Sequence, residues 1–248
     1  MRLSASKTKK YLQCPRSFED SYLRGNWADP SQPATQGSIA HEAIARAYEF
    51  KKKHGKEMDI QDKLNHIDVL FKEDFENGKT NYRDSLEDVI RETRELVLIH
   101  HNEIGVRVKP FLIEKPFSVM VEDVELVGIW DLIDESGWII DNKFYSKTPS
   151  QTELDRDIQM SFYSLAYRLM FNEVERGIRI DAVIKTKNKK SLQLTTNRTT
   201  DELQWTAKMI TQIAQAMESG NYPPNPSGWW CDPRFCGAWD NCQFGGYK

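Results

Sequence analysis

The chain has no apolar run approaching the length of a membrane span, and Met1-Arg2-Leu3-Ser4 does not open a signal-peptide core. These absences predict a cytoplasmic protein with no membrane partner. Cysteine is scarce, at four in 248 residues, and an intracellular chain has little use for disulfides. There is no internal repeat and no long low-complexity segment, so a solenoid or a disordered scaffold is excluded. No Gly-x-x-x-x-Gly-Lys-[Ser/Thr] phosphate loop occurs, so no ATPase or helicase motor is built in. Charge of one sign is also lacking. The formal net charge is −3, and any affinity for a polyanion must come from local patches. Two such patches are present, Lys185-Thr186-Lys187-Asn188-Lys189-Lys190 and the set Lys7, Lys9, Lys10 and Arg16. A lysine-rich turn is also what an ordinary solvated loop looks like.

What is there fits a soluble globular chain, with 29% charged and 39% hydrophobic residues. Ser4 or Ser6 can cap a first helix that carries Tyr11 and Leu12 and stops before Cys14-Pro15. Residues 26–34 are rich in Pro, Asp and Ser and predict a loop. Helical spacing then predicts helices over 35–53, 59–76 and 85–103. From Pro110 the period shortens to two, which predicts strands over 111–120, 125–134 and 138–144. A long helix is expected over 151–172, a hairpin from 180–187 and 191–195, and a last helix over 200–218. The order predicts an α/β fold with one central mixed β-sheet flanked by helices. It is expected as one domain over 1–248, with a mainly helical part (1–105), an α/β core (106–219) and a Cys-rich tail (220–248).

The most informative residues lie in the second and third strands. Val127-Gly128-Ile129-Trp130-Asp131-Leu132-Ile133 and Trp138-Ile139-Ile140-Asp141-Asn142-Lys143 flank a Glu135-Ser136-Gly137 turn. Residues two apart on a strand face the same way, so Asp141 and Lys143 project together. If Asp131 joins them, two carboxylates converge, and they repel unless a cation lies between. A divalent metal with a lysine beside it suits phosphate chemistry. A solvated acid–lysine face on a hairpin is the common alternative, but the apolar flanks make unpaired acids costly here. Glu114, on the first strand, could point at the same cluster. His41, early in an amphipathic helix, could be a ligand or an ordinary structural histidine. Gln159 and Tyr163 are one turn apart on a helix and share a face.

Three cysteines crowd the tail as Cys231-x4-Cys236-x5-Cys242, and Cys14 is the only other one. Four thiolates suit zinc or an iron–sulfur cluster, with free cysteines as the alternative. With Cys14 as fourth ligand, such a centre would clasp the first helix to the tail.

Together these pieces resemble the RecB-like branch of the PD-(D/E)XK nuclease superfamily. The opening Leu3-Ser4-Ala5-Ser6 with Tyr11-Leu12-Gln13-Cys14-Pro15-Arg16 is similar to that family's N-terminal segment. Gly37-Ser38-x-x-His41, Gly128-x-x-Asp131, Asp141-x-Lys143 and Gln159-x-x-x-Tyr163 follow in the family's order. The tail resembles the clasp of members with a [4Fe–4S] cluster, a group that includes CRISPR-adaptation and recombination nucleases. Many of those space the first two tail cysteines by two residues; here the gap is four, and zinc is the alternative occupant. The resemblance implies a restriction-endonuclease-like core and a Mg²⁺- or Mn²⁺-dependent DNA exonuclease. It implies His41, Asp131, Asp141 and the Asn142 carbonyl as metal ligands, and Lys143 as the residue that positions or activates water. Gln159 and Tyr163 would contact DNA or support the site, and Glu114 matches an acid on the family's first strand. DNA would be the partner, with a borrowed helicase or recombination protein possible in principle. A partner-dependent DNA-trimming nuclease and a non-catalytic DNA-binding scaffold are the rival expectations.

Overall fold

The computed structural model describes residues 1–27 and 29–244. In chain order the elements are β1 (Arg2–Leu3), α1 (Ala5–Gln13), α2 (Pro15–Phe18), a π-helical turn (Glu19–Leu23), α3 (Gln32–His54), α4 (Ile60–Glu76) and α5 (Leu86–Glu103). Then follow β2 (Pro110–Val121), β3 (Val124–Asp134), β4 (Trp138–Tyr145), α6 (Gln151–Asp155), α7 (Ile158–Phe171), β5 (Gly177–Ile184), β6 (Lys190–Thr196) and α8 (Thr200–Glu218). Six strands form one mixed sheet, flanked by helices, and this is a restriction-endonuclease-like α/β core. Among the described residues no helix is long and apolar enough to cross a membrane.

Strand alternation sorts the side chains into two cores. Ile139 joins a layer formed with α1, α7 and α8, through Tyr11, Phe162 and Ile210. Its neighbour Ile140 joins a second layer beneath α3, α4 and α5, through Ile44, Ile67 and Val97. The β3–β4 turn is locally encoded. The Asp134 side chain accepts from the backbone N–H groups of Ser136 and Trp138, and Gly137 takes φ +83°, which glycine adopts without a Cβ penalty.

The structure corrects several sequence expectations. The helix expected from 35 starts at Gln32, because Pro33 near a helix start has no N–H to lose there. The residues expected as a 151–172 helix form two, with the break at Arg156–Asp157. Asp157 caps α7 by accepting from Gln159 N, while the Arg198 guanidinium donates to the carbonyls of Leu154 and Asp157. β5 begins at Gly177 and ends at Ile184, earlier than the expected 180–187. Strand β1, α2 and the π-helical turn were not expected at all. Residue 28 of the expected loop and residues 245–248 of the expected tail lie outside the described residues.

Candidate metal centre and thiol clasp

The sheet opens at the point where the acids lie. β2 runs along one edge of β3 from Asp134 to Val124. The other edge is shared: β1 pairs at Glu125 and Leu126, and β4 pairs only at Leu132 and Ile133. Between them β3 has no strand partner on that edge, and Asp131 sits at the mouth of the gap. β4 leaves β3 after Ile140 and continues along β5 to Tyr145.

The side chains and one peptide group close on this gap. Asp131 Oδ2 accepts from the Asn142 backbone N–H at 3.0 Å and lies 3.4 Å from His41 Nε2. His41 Nε2 also meets the Asn142 carbonyl at 2.5 Å. Glu114, in the left-handed region at φ +44°, brings Oε1 to 3.9 Å from His41 Nδ1. That backbone is uncommon for a residue with a Cβ and is often found at functional sites. Ligand atoms of His41, Glu114 and Asp131 all lie within 4.8 Å of one another.

Asp141 is fully buried on the other side of β4 and is tied to Lys143, whose Nζ lies 3.1 and 3.0 Å from its two oxygens. Gln159 Nε2 donates to Asp141 Oδ1 and lies 2.7 Å from the Tyr163 hydroxyl. Asp141 Oδ2 is in ion-pair contact with Lys143 but accepts no well-directed hydrogen bond. All eight expected site residues therefore meet at one end of the sheet, in two sets: His41, Glu114, Asp131 and the Asn142 peptide, then Asp141, Lys143, Gln159 and Tyr163. A cavity of about 810 Å³ opens beside them, lined by His41, Glu114, Asn142 and Lys143 among others.

The electrostatics mark an unbalanced site. Burial raises the Asp131 pKa, the Asp141 charge raises it further, and it reaches about 7 despite His41 and Lys143. Burial pushes His41 down, but Glu114, Asp131 and the Asn142 carbonyl outweigh it and raise it to about 9. Burial opposes the charge on Lys143, yet Asp141 and Asp131 hold its pKa well above that of a free lysine. Burial lifts Tyr163 well above its ordinary value. The carboxylates, the carbonyl and the imidazole form an oxygen-rich donor set with one nitrogen, which fits a hard divalent ion such as Mg²⁺ or Mn²⁺. Asp141 Oδ2, paired with Lys143 but without a directed hydrogen bond, keeps a lone pair that a cation could use.

Two contacts had no sequence signal. Lys9 of α1 reaches over α7, 2.7 Å from Asp157 Oδ1 and 3.4 Å from Gln159 Oε1. Of the N-terminal basic set it is the one that touches these site residues; Arg16 instead pairs with Glu19 and donates to the Asn241 carbonyl. His100 of α5 is buried beneath β4, with Nε2 2.9 Å from Asn142 Oδ1. Burial lowers its pKa to about 3, so it is neutral. The Lys185–Lys190 patch forms the β5–β6 turn and the first residue of β6, and Lys189 in the turn pairs with Glu95.

The four cysteines are unpaired and line a second cavity of about 240 Å³. Cys14 is buried at the end of α1, and its sulfur accepts from Asn225 N at 3.4 Å. Burial raises the Cys231 pKa, and the neighbouring Cys236, Cys242 and Cys14 raise it further. The crowding disfavours free thiolates, so the four would ionise together only with positive charge among them.

The model of the PD-(D/E)XK nuclease superfamily matches residues 2–243. The chain belongs to this superfamily. PD-(D/E)XK nucleases use divalent metals, in keeping with the acidic cluster at the sheet opening. No curated protein matches the sequence. Among solved structures, the chain is similar to a putative exonuclease from Eubacterium rectale, with TM-score 0.64 and 14% identity over 93% of this chain and 86% of that one. At that identity the likeness shows a shared fold. It also matches the structure of SSO0001 at 10% identity over 98% of this chain and 85% of that one, with TM-score 0.43. This PD-(D/E)XK chain is therefore a nuclease by family, and its acids lie where the sheet parts.

Proposed function

We propose that this nuclease is a divalent-metal-dependent DNA exonuclease. The observation that carries the proposal is the convergence of His41, Glu114, Asp131 and the Asn142 carbonyl beside the Asp141–Lys143 pair, all at the edge of a broad cavity. His41, Asp131, Asp141 and the Asn142 carbonyl would hold Mg²⁺ or Mn²⁺, with Glu114 within reach. The ion would supply Lewis-acid polarisation of a phosphate oxygen and a more acidic bound water.

The chain's own groups do the rest. Lys143 is held protonated by Asp141 and Asp131, so it is suited to orient the attacking water and offset phosphate charge rather than to take a proton. Gln159 bridges Asp141 and Tyr163, so it fixes the carboxylate and supports the site. Lys9, half-exposed beside Gln159 and paired with Asp157, could turn to a backbone phosphate. The exonuclease mode rests on the likeness to the Eubacterium rectale protein and on the RecB-like motif order.

We further propose that Cys14, Cys231, Cys236 and Cys242 hold a [4Fe–4S] cluster. What supports the cluster is that the four cysteines line one cavity and that the tail resembles the clasp of cluster-bearing members. The group would be structural, because four protein ligands leave no open position.

The test is digestion of end-labelled and covalently closed DNA by anaerobically purified protein with Mg²⁺ or Mn²⁺. Expected are progressive shortening of linear DNA and an untouched closed circle. Nicking of the circle would overturn the exonuclease mode. Intact DNA of every form, with metal demonstrably bound, would overturn the deoxyribonuclease assignment. The protein should be brown and contain iron and acid-labile sulfide; a colourless protein with stoichiometric zinc would replace the cluster.

A further inference from the structure

The Asn142 peptide has an unusual task. Both of its backbone polar groups face the gap: N–H donates to Asp131 Oδ2, and C=O meets His41 Nε2. On a strand the N–H and C=O of one residue point to the same edge, so neither of these takes part in the β4–β5 ladder. On the gap edge, β3 has already parted from β4. The two peptide planes that carry these groups are held at their other ends by the Asp141 carbonyl and the Lys143 N–H, which face β5, so on the gap side only the metal centre and the Asn142 side chain restrain them.

Its side chain is fixed, and from below. Asn142 and His100 are 3% and 2% exposed, and they meet at 2.9 Å within the apolar layer that holds Leu132, Ile140 and Val97. The His100 tautomer with its proton on Nε2 donates to Asn142 Oδ1. A buried neutral hydrogen bond contributes little net stability against apolar replacements of similar shape, so folding alone does not call for this pair. Fixing the rotamer of a residue whose peptide enters the metal centre does call for it.

We propose that His100 is a positioning residue of the metal centre. By holding the Asn142 side chain beneath β4, it refines, together with the β5 ladder, the direction of the Asn142 carbonyl and N–H above. The inference rests on the proposed metal site, in which the Asn142 carbonyl is a ligand. Groups that orient metal ligands from behind typically change metal affinity by about 10–100-fold when removed.

The experiment compares wild type with His100→Leu, His100→Gln, the double variant His100→Leu/Asn142→Leu, and Asp131→Ala as reference. Mn²⁺ affinity is read by titration calorimetry or electron paramagnetic resonance, stability by thermal melting, and turnover as separate kcat and KM. His100→Leu leaves Asn142 Oδ1 buried without a donor, so it should lower both stability and Mn²⁺ affinity. The double variant removes both polar groups. It should recover stability but still bind Mn²⁺ about 10-fold or more weakly, with kcat reduced and the KM for DNA little changed. His100→Gln, which retains an N–H donor, should recover much of the affinity. If the double variant binds Mn²⁺ as wild type does while Asp131→Ala does not, the role of His100 is overturned and the metal site stands. If Asp131→Ala also binds Mn²⁺ as wild type does, the site assignment falls and this inference falls with it.

Discussion

Replacing Asp131 by Asn should stabilise the metal-free protein while abolishing its response to metal. Asp131 is buried beside Asp141, and its pKa rises from 3.8 to about 7. A folded value above the unfolded one means that folding is favoured below about pH 4 and loses that advantage as pH rises through 7. Carrying the charge above pH 7 therefore costs up to ~4 kcal/mol, at 1.36 kcal/mol per tenfold change in proton affinity. Asparagine keeps an oxygen to accept from Asn142 N and removes the charge. The loss on the other side is His41, whose pKa of about 9 depends partly on Asp131. Its contribution is full below about pH 6.5 and is mostly gone by pH 9, so near pH 8 only ~1 kcal/mol remains to lose. Because the two groups share one interaction, the net gain at pH 8 is about 1–3 kcal/mol, or roughly 2–12 °C in melting temperature for a chain of this size. At pH 5 the unfolded carboxyl is still ionised, so under ~2 kcal/mol of the cost remains, while the His41 contribution that Asp131 supports is full, and the gain should shrink well below its value at pH 8. Thermal melts in EDTA at the two pH values, repeated with Mn²⁺, test each step. Wild type should gain stability from Mn²⁺ and Asp131→Asn should not, so the order of the two proteins narrows or reverses when metal is added. An Asp131→Asn protein less stable than wild type at pH 8 in EDTA, or one equally stabilised at both pH values, would refute the charge argument.

Lys143→Ala should remove activity by at least ~100-fold, the scale of losing one charge-stabilising group, and cost about 1–3 kcal/mol because Asp141 is left buried without its ammonium. Rate measurements on labelled DNA and melts check the two halves separately, and a fully active variant would remove Lys143 from the site. Gly128 lies opposite the Phe117 ring, where an added Cβ would come 2.4 Å from Cζ, so Gly128→Ala should cost about 1–3 kcal/mol. Adding Phe117→Leu should recover part of the loss, and an unchanged melting temperature for Gly128→Ala would contradict this packing account. Cys14→Ser should lower both the melting temperature and the bound iron of anaerobically purified protein. Unchanged iron content would exclude Cys14 as a ligand.

Much of the fold was legible because its signals are local. The period-two runs from Pro110 to Lys143, the Glu135-Ser136-Gly137 turn and the amphipathic spacing of α3, α4, α5 and α8 each follow from a few neighbouring residues. Asp141 and Lys143 were legible for the same reason, since strand geometry puts residues two apart on one face. The break between α6 and α7 was not. Its carbonyls are satisfied by Arg198, some forty residues further on, and such a partner leaves no trace in the helical pattern. Nor was β1, whose two residues become a strand by pairing with the distant β3.

The sequence by itself determined which groups were available: the acids, the histidine, the lysine and the four thiols, in an order that marks the family. Tertiary structure decided which of them meet. It parted β4 from β3 at Ile140, which turned the Asn142 peptide toward His41 and Asp131 instead of into a ladder. It also brought Glu114 to His41 and set Lys9 and His100 against the site from two different layers. The physical reason is range. Helix and strand periodicity act over a few residues, while these contacts join positions separated by up to 150 residues, and only the packing of both cores against one sheet fixes them together.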